Sequence, residues 1–370
     1  MQALAEPFAS ALATGYTAHA RLSALAGAND PAVVRTWEAG EAIIISGSVQ
    51  LDRTRQVRGT SSLDLADHRG QLVPRDVVDT FADRSLLRVE RGIEVGGNVA
   101  WVPLATYVVD RSRGSMAGRL ALSGQDRLTL AQQAFGEPLT LDTGMRVGDA
   151  IRAWLEPVLG TDDELWGIDD GSLELGAPVT VSEDDQRLDR AMALAADHAL
   201  ELLTDRTGRV VLRPKVDPTT AAAVLSIERG RTILGHEREV RAIPVNRAVA
   251  IGDPLTGRVY RGVAEVTDPA SPLHPDRIGL LVAPPHRSSA IASQYQADQV
   301  AWQLLIESAL VEEETVTRLL ADPRLDEGDV VILTEPHTAT SGSYRVDRLD
   351  MPVLGGEMSI TATRTRSLLA

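Results

Sequence analysis

The side chains able to do acid–base, nucleophilic or metal chemistry are scattered through this sequence. Seven histidines (His19, His68, His198, His236, His274, His286 and His337) stand singly, and no H-E-x-x-H pair occurs. Isolated histidines do not make a metal site, so none is expected. Cysteine is absent, which removes thiolate zinc sites, iron–sulfur clusters, cysteine nucleophiles and disulfides together. No G-x-S-x-G, G-x-x-x-x-G-K or G-x-G-x-x-G is present, so nucleophile elbows and glycine-rich phosphate cradles are not expected either. Paired carboxylates remain, and two suffice for glycoside hydrolysis. The candidates are Asp162/Asp163/Glu164, Asp169/Asp170, Asp184/Asp185 and Glu312/Glu313/Glu314. Each lies in a polar segment where water would hold the pKa near its ordinary value, unsuited to a general acid. Asp169-Asp170-Gly171 begins like a calcium loop but lacks the alternating ligands and terminal glutamate. The expectation is a chain with no catalytic residue, no metal and no cofactor.

Charge narrows the partners. Lys+Arg 37 against Asp+Glu 52 gives −15, and aromatics are only 4%. A dedicated nucleic-acid binder needs clustered cations and stacking platforms, so this balance argues against one. No run of 18 apolar residues exists, so no membrane-spanning helix is expected, and Glu6 interrupts what would be a signal-peptide core.

The elements follow from periodicity. Leu4, Phe8 and Leu12 recur at i, i+4 and i+8, predicting a short docking helix over residues 1–15 that ends at Gly15. Residues 16–123 read as short strands, with Gly96-Gly97-Asn98 as a hairpin turn. Residues 126–203 are mixed. Helices are expected over Gly148–Leu159, closed by Pro157 and Gly160, and over Asp185–Leu203, capped by Ser182, Asp184 or Asp185. A turn at Asp205–Gly208 leads into a strand over Arg209–Arg213. Strands return around Val245–Ile251 and Gly257–Val266. Thr267–Ser289 carries five prolines and is expected to be ordered by a neighbouring chain, with Leu280, Leu281 and Val282 as buried contacts. A helix over Ala290–Leu310 and terminal strands complete the chain.

One pattern fixes architecture more than any motif. Tyr107-Val108-Val109-Asp110-Arg111 is echoed by Tyr344-Arg345-Val346-Asp347-Arg348. Gly118-Arg119-Leu120-Ala121-Leu122-Ser123 is echoed by Gly356-Glu357-Met358-Ser359-Ile360-Thr361, and Leu86–Val89 and Val330–Leu333 occupy comparable places upstream. An ordered series of echoes indicates a duplicated β-module. The modules are expected at 16–135 and at 208–265 with 311–370, separated by an α/β domain at 136–207 and interrupted by a proline-rich loop and helix at 266–310.

Gly47–Thr54, Val57-Arg58, Ser61–Leu65 and Leu72-Val73-Pro74 resemble the opening of minor tail proteins of long-tailed actinobacterial phages. Arg88–Gly92, Val102–Ala105, Tyr107–Asp110, Ser123–Arg127, Thr267–Pro272 and Leu325–Val331 extend the resemblance over most of the chain beyond the first helix. It implies a tail-tip hub similar to the central hub of contractile tails. The fold would be mainly β with α+β insertions: two tail-tube-like antiparallel β-barrel domains plus smaller α/β domains. Three chains would supply six barrels beneath a six-fold tube. The partners would be two further copies, the distal tail protein, the C-terminus of the tape measure protein and fibre or tip proteins, with genome DNA only passing through. The location would be the virion tail tip, after synthesis in the bacterial cytoplasm. The other settings are a hexameric distal tail protein and a tail-associated wall hydrolase. Leu4, Phe8, Leu12, Leu280, Leu281 and Val282 are the candidate interface residues.

Overall fold

The computed structural model describes residues 8–14, 16–27, 30–37, 44–76, 78–176, 178–215, 221–228, 233–242, 245–252, 259–288, 293–308 and 310–367. Two compact units divide it. The larger comprises residues 1–236 and 317–361, the smaller 237–316 and 362–370.

In the larger unit, α1 (Phe8–Thr14) precedes β1 (Thr17–Gly27), β2 (Asp30–Trp37), β3 (Ile44–Asp52), β4 (Gly59–Ala66), β5 (Leu86–Val95), β6 (Asn98–Ser115) and β7 (Arg119–Asp126). An α/β insertion follows: β8 (Leu139–Leu141), α2 (Val147–Leu159), β9 (Trp166–Ile168), β10 (Val179–Val181), α3 (Arg187–Asp197), β11 (Leu200–Thr204) and β12 (Val210–Pro214). Next come β13 (Leu225–Glu228) and β14 (Ile233–Ala242), the latter running into the smaller unit. That unit holds β15 (Arg247–Gly252), β16 (Tyr260–Glu265), α4 (Pro275–Ile278), β17 (His286–Ser288) and α5 (Gln294–Ser308). The chain returns along β18 (Leu310–Leu320) and closes with β19 (Val330–Glu335), β20 (Thr340–Pro352) and β21 (Glu357–Ser367).

The principal sheet has 13 strands in the order β14-β18-β21-β20-β3-β4-β7-β6-β5-β1-β2, with β19 on β20 and β13 on β19. The protein is mainly β, and among the described residues no sheet closes into a barrel. In place of two closed barrels, one strand serves two partners. The first half of β20 pairs with β19 (Val330↔Arg345 to Glu335↔Thr340), while its second half pairs with β3 (Arg348↔Asp52 to Pro352↔Ser48).

The echoed sequences occupy equivalent places. Leu87 faces Tyr107 across β5–β6, and Val331 faces Tyr344 across β19–β20. The Val109 N–H donates to Ser85 O (2.8 Å) and the Val346 N–H to Asp329 O (2.8 Å). Their carbonyls accept in turn from the N–H groups of Arg84 and Gly328, the two left-handed residues that open β5 and β19 (φ 69° and 86°). Both tyrosines are almost wholly buried. The strand order β3-β4-β7-β6-β5 in one module matches β14-β18-β21-β20-β19 in the other.

Local chemistry explains the elements that position these sheets. Gly96 and Gly97 (φ 61° and 81°) form the two-residue turn that sets Val95 against Asn98. Ala11 and Leu12 of α1 are buried against Ile93 and Val102, with Phe8 packed beside them, so this helix docks on its own chain; Leu4 lies outside the described residues. The helix expected over Asp185–Leu203 is shorter. It ends at Asp197, Ala199 takes a left-handed turn (φ 56°), and Leu200–Thr204 becomes a strand against β12. Short apolar runs satisfy both periods, and burial of Leu200, Leu202 and Leu203 decides for the strand. Gln186 rather than an acidic residue takes the cap position, and Pro157 lies inside α2 rather than closing it.

The strands β15 and β16, expected to continue the second β-module, pair with each other and with β17 and pack on α5. Ala297, Ala301 and Leu305 form the buried stripe of α5. Gly262 permits the close approach, since a Cβ there would collide with the Ala297 carbonyl.

Candidate functional site

A buried network of charges lies where the first β-module, the α/β insertion and the loop before β19 meet. Glu201 on β11 is its centre, 4% exposed. Its Oε2 accepts from Nε and Nη2 of Arg53 (3.2 and 3.0 Å) and Nη2 of Arg58 (3.5 Å), and its Oε1 accepts from Nε of Arg213 (2.9 Å). Arg53 and Arg58 flank the β3–β4 turn, while Arg213 comes from β12. Burial opposes ionisation of Glu201, but the three guanidiniums outweigh it and hold the carboxyl below its usual value. Burial likewise lowers the pKa of Arg58, with Glu201 and Glu327 opposing.

Arg206, in the β11–β12 turn, reaches the other module. It donates to the carbonyls of Pro323 (2.5 Å) and Leu325 and to Asp326 Oδ1 (3.3 Å). Its own carbonyl accepts from the Thr106 hydroxyl on β6 (3.1 Å). Arg127 donates to the carbonyls of Gly208 (2.7 Å) and Leu159, and burial lowers its pKa to about 10. Asp126 accepts from the N–H groups of Gly59 and Leu128 (2.8 Å each), with burial raising its pKa. A second lock comes from Arg91 on β5, 2% exposed, which donates to Tyr16 Oη (2.7 Å) and to the carbonyls of Pro352 (2.5 Å) and Leu354 after β20.

A cavity of about 70 Å³ within the network is lined by Arg58, Thr106, Asp126, Arg206, Asp326 and Glu327, among others. Burial and the neighbouring Asp326 carboxylate push Glu327 well above 4.5. Between 4.5 and that raised value the folded chain holds a proton that the unfolded chain has lost, so stability falls as pH rises through the window. Glu327→Gln should therefore raise the urea midpoint at pH 7, with the gain shrinking toward pH 4. An equal midpoint for the two proteins at pH 7 would contradict this.

The carboxylate groups singled out in the sequence have structural duties. Asp170, 1% exposed, accepts from Arg146 (2.5 Å) and from the N–H groups of Gly148 and Ser172 (2.9 Å each). Asp162 accepts from the Glu164 N–H, and Asp185 from the Ser182 N–H and Arg190. Glu313 pairs with Arg238 (3.2 Å). His236 bridges the hydroxyls of Thr317 and Thr340 (2.9 Å each), and His19 pairs with Glu94 (2.6 Å). Among the described residues no group of His, Asp and Glu is placed to hold a metal ion, and no helix is long and apolar enough to cross a membrane. The arrangement clamps three segments together. No signal in the sequence could have joined Glu201 to Arg53, since the partners lie 148 positions apart.

In the smaller unit the proline-rich loop is held by its own neighbours, contrary to the expectation that another chain orders it. Asn246, 0% exposed, donates through Nδ2 to Leu273 O (3.0 Å) and Gly279 O (2.7 Å), and its Oδ1 accepts from the Leu281 N–H (2.8 Å). Leu280, Leu281 and Val282 are 51, 37 and 48% exposed, so they are surface residues of this chain.

No protein-family model matches the sequence, and no curated protein matches it. Solved structures do match the fold. The 43 kDa tail protein of prophage MuSo2 from Shewanella oneidensis superposes with a TM-score of 0.62 at 10% identity, over 94% of this chain and 98% of that one. A tail protein from Neisseria meningitidis gives 0.60 at 13% identity, over 94% and 97%. The chain matched in a PdpA–VgrG complex gives 0.56 at 11% identity, over 96% of this chain and 65% of that one. The chain therefore has the fold of phage tail proteins, a fold it shares with a component of the PdpA–VgrG complex.

Proposed function

We propose that this protein is the structural hub of a phage or phage-like tail tip, in which three copies form a ring that adapts a six-fold tail tube to three-fold tip components and lets DNA pass. The observation that carries the reading is the duplicated β-module within one chain, joined edge to edge by β20 and β3. Two equivalent modules per chain let three chains present six similar faces; a hexameric distal tail ring needs no duplication. The two modules act as tail-tube-like domains whose β-wall is completed between copies. The tail-protein fold over nearly the whole chain supports the setting, as does the resemblance of the sequence to minor tail proteins of long-tailed actinobacterial phages. The buried clamps suit a mechanical part, and the role is non-enzymatic. The distal tail protein, the C-terminus of the tape measure protein and fibre proteins are the partners, in the virion tail tip. Leu280, Leu281 and Val282 form an exposed apolar strip for a neighbouring copy. Light scattering of the purified protein should give the mass of three chains, and electron micrographs of the particles should show three-fold symmetry. A six-chain ring would overturn the assignment.

Three copies at −15 each set the charge of such a ring. A like-charged wall repels phosphates over roughly 8 Å at physiological salt, whereas an arginine-lined wall would retain them. The lumen is acidic or neutral in this reading. The assembled protein should pass through a DNA column at low salt without salt-dependent retention; elution only at raised salt would refute the channel argument.

A further inference from the structure

We propose that successive copies join head to tail by pairing β14 of one copy with the open backbone edge of Arg111–Ser115 in β6 of the next, repeating between chains the β20–β3 seam within one. The inference rests on the ring reading above and names the surface that makes the ring.

The internal seam is the template. The module repeat places β6 on β20 at an offset of 237, so Arg111–Ser115 correspond to Arg348–Pro352. Those five residues of β20 pair with β3, flanked by bonds from the Arg53 N–H to Asp347 O (2.8 Å) and from the Val353 N–H to Gly47 O (2.9 Å). Alternation then turns the N–H groups of Leu349 and Met351 toward β3, and those of their counterparts Ser112 and Gly114 to the corresponding side of β6. There β5 has already left the ladder, its last partner in β6 being Val108, while β7 occupies the opposite side of Arg111–Ser115. Leu349 and Met351 are 1% and 0% exposed, whereas the Asp110–Ser115 stretch is largely exposed and Met116 fully so.

The occupant follows from strand order. In the first module β3 is the strand outside β4, and in the second β14 is the strand outside β18 and ends the order. Thus β3 fills the edge of β20 within the chain, and its counterpart β14 is the strand left to fill the edge of β6. Leu234 and Val240 of β14 are 46% and 47% exposed, against 1% and 6% for Val49 and Leu51 of β3. Charges agree as well. Arg348 stands opposite Asp52 in the internal seam; Arg111 and Arg113 lie along the open edge, and β14 carries the exposed Glu237. A different surface on each partner makes the contact heterologous, the kind that closes into rings.

The chain has no cysteine, so an engineered pair reports unambiguously. Ser112→Cys combined with Glu237→Cys or with Glu239→Cys should oxidise into a ladder that stops at three chains. Ser112→Pro removes only an outward N–H and blocks edge pairing, so it should give a monomer with an unchanged far-UV spectrum. In the wild-type assembly the amides of Ser112 and Gly114 should be protected from hydrogen exchange. If the wild type is trimeric, yet Ser112→Pro remains trimeric and neither cysteine pair crosslinks, the seam is wrong while the ring stands. A ladder running past three chains overturns ring closure. A wild type that stays monomeric overturns the hub reading and the seam with it. Should the proline variant fail to fold, the cysteine pairs and the exchange measurement still decide.

Discussion

Glu201→Gln should lower the unfolding free energy by about 3–5 kcal/mol, the cost typical of removing one partner from a buried ion pair. The side chain is 4% exposed and receives charged donors from Arg53, Arg58 and Arg213. A neutral amide of the same shape leaves Arg53 and Arg58 largely buried without a counter-charge, whereas Arg213, at 38% side-chain exposure, can turn to water. The pH response separates this from a packing defect. A carboxyl whose folded pKa is depressed contributes stability that is present above its unfolded value near 4.5 and lost as pH falls through the folded value. The stability difference between wild type and Glu201→Gln should therefore be full at pH 6–7 and narrow below pH 4.5. Urea titrations at several pH values measure it; a pH-independent difference would mean that charge is not the cause. The same variant also tests the clamp, since Glu201 ties the insertion to the β3–β4 turn.

Asn246→Ala should release the proline-rich loop. The amide is fully buried and makes three hydrogen bonds to it, at Leu273, Gly279 and Leu281. Truncation leaves two carbonyls and one N–H to find water or go unpaired, at about 1–3 kcal/mol each. The loss should fall on residues 268–285 and spare the α5 stripe of Ala297, Ala301 and Leu305 on β15 and β16. Limited proteolysis should cut within the loop, and amide exchange there should accelerate at least tenfold relative to α5. Unchanged protection in the loop would show that its own turns, such as Ser271–Ile278, hold it without Asn246.

Strand content, the Gly96-Gly97 turn and the module echo were legible in the sequence because each depends on local rules: alternation, positive φ, and copied order. The same rules misjudged Leu200–Leu203. Its leucines continue the helical stripe of α3 in sequence, and only burial against β12 makes them a strand. They also misjudged Thr267–Ser289, where prolines suggested a segment ordered by a partner; the side chain that holds it, Asn246, precedes it by more than twenty positions and looks unremarkable. The structure gives the acidic groups particular turns, caps and ion pairs that spacing alone did not disclose.

By itself, the sequence determined the β-rich character, the ordered series of echoes, the absence of thiol chemistry and the acidic balance, since composition and repeats need no folded context to act. The tertiary structure decided how the two modules meet. That Arg348–Pro352 is sealed by β3 while the equivalent Arg111–Ser115 is left at an edge depends on pairing between segments nearly 300 residues apart. The same holds for Glu201 and its three arginines, brought together from one turn and two strands. Backbone hydrogen bonds and buried charges are indifferent to sequence distance, so neither the seam nor the clamp leaves a local mark that spacing or periodicity could disclose.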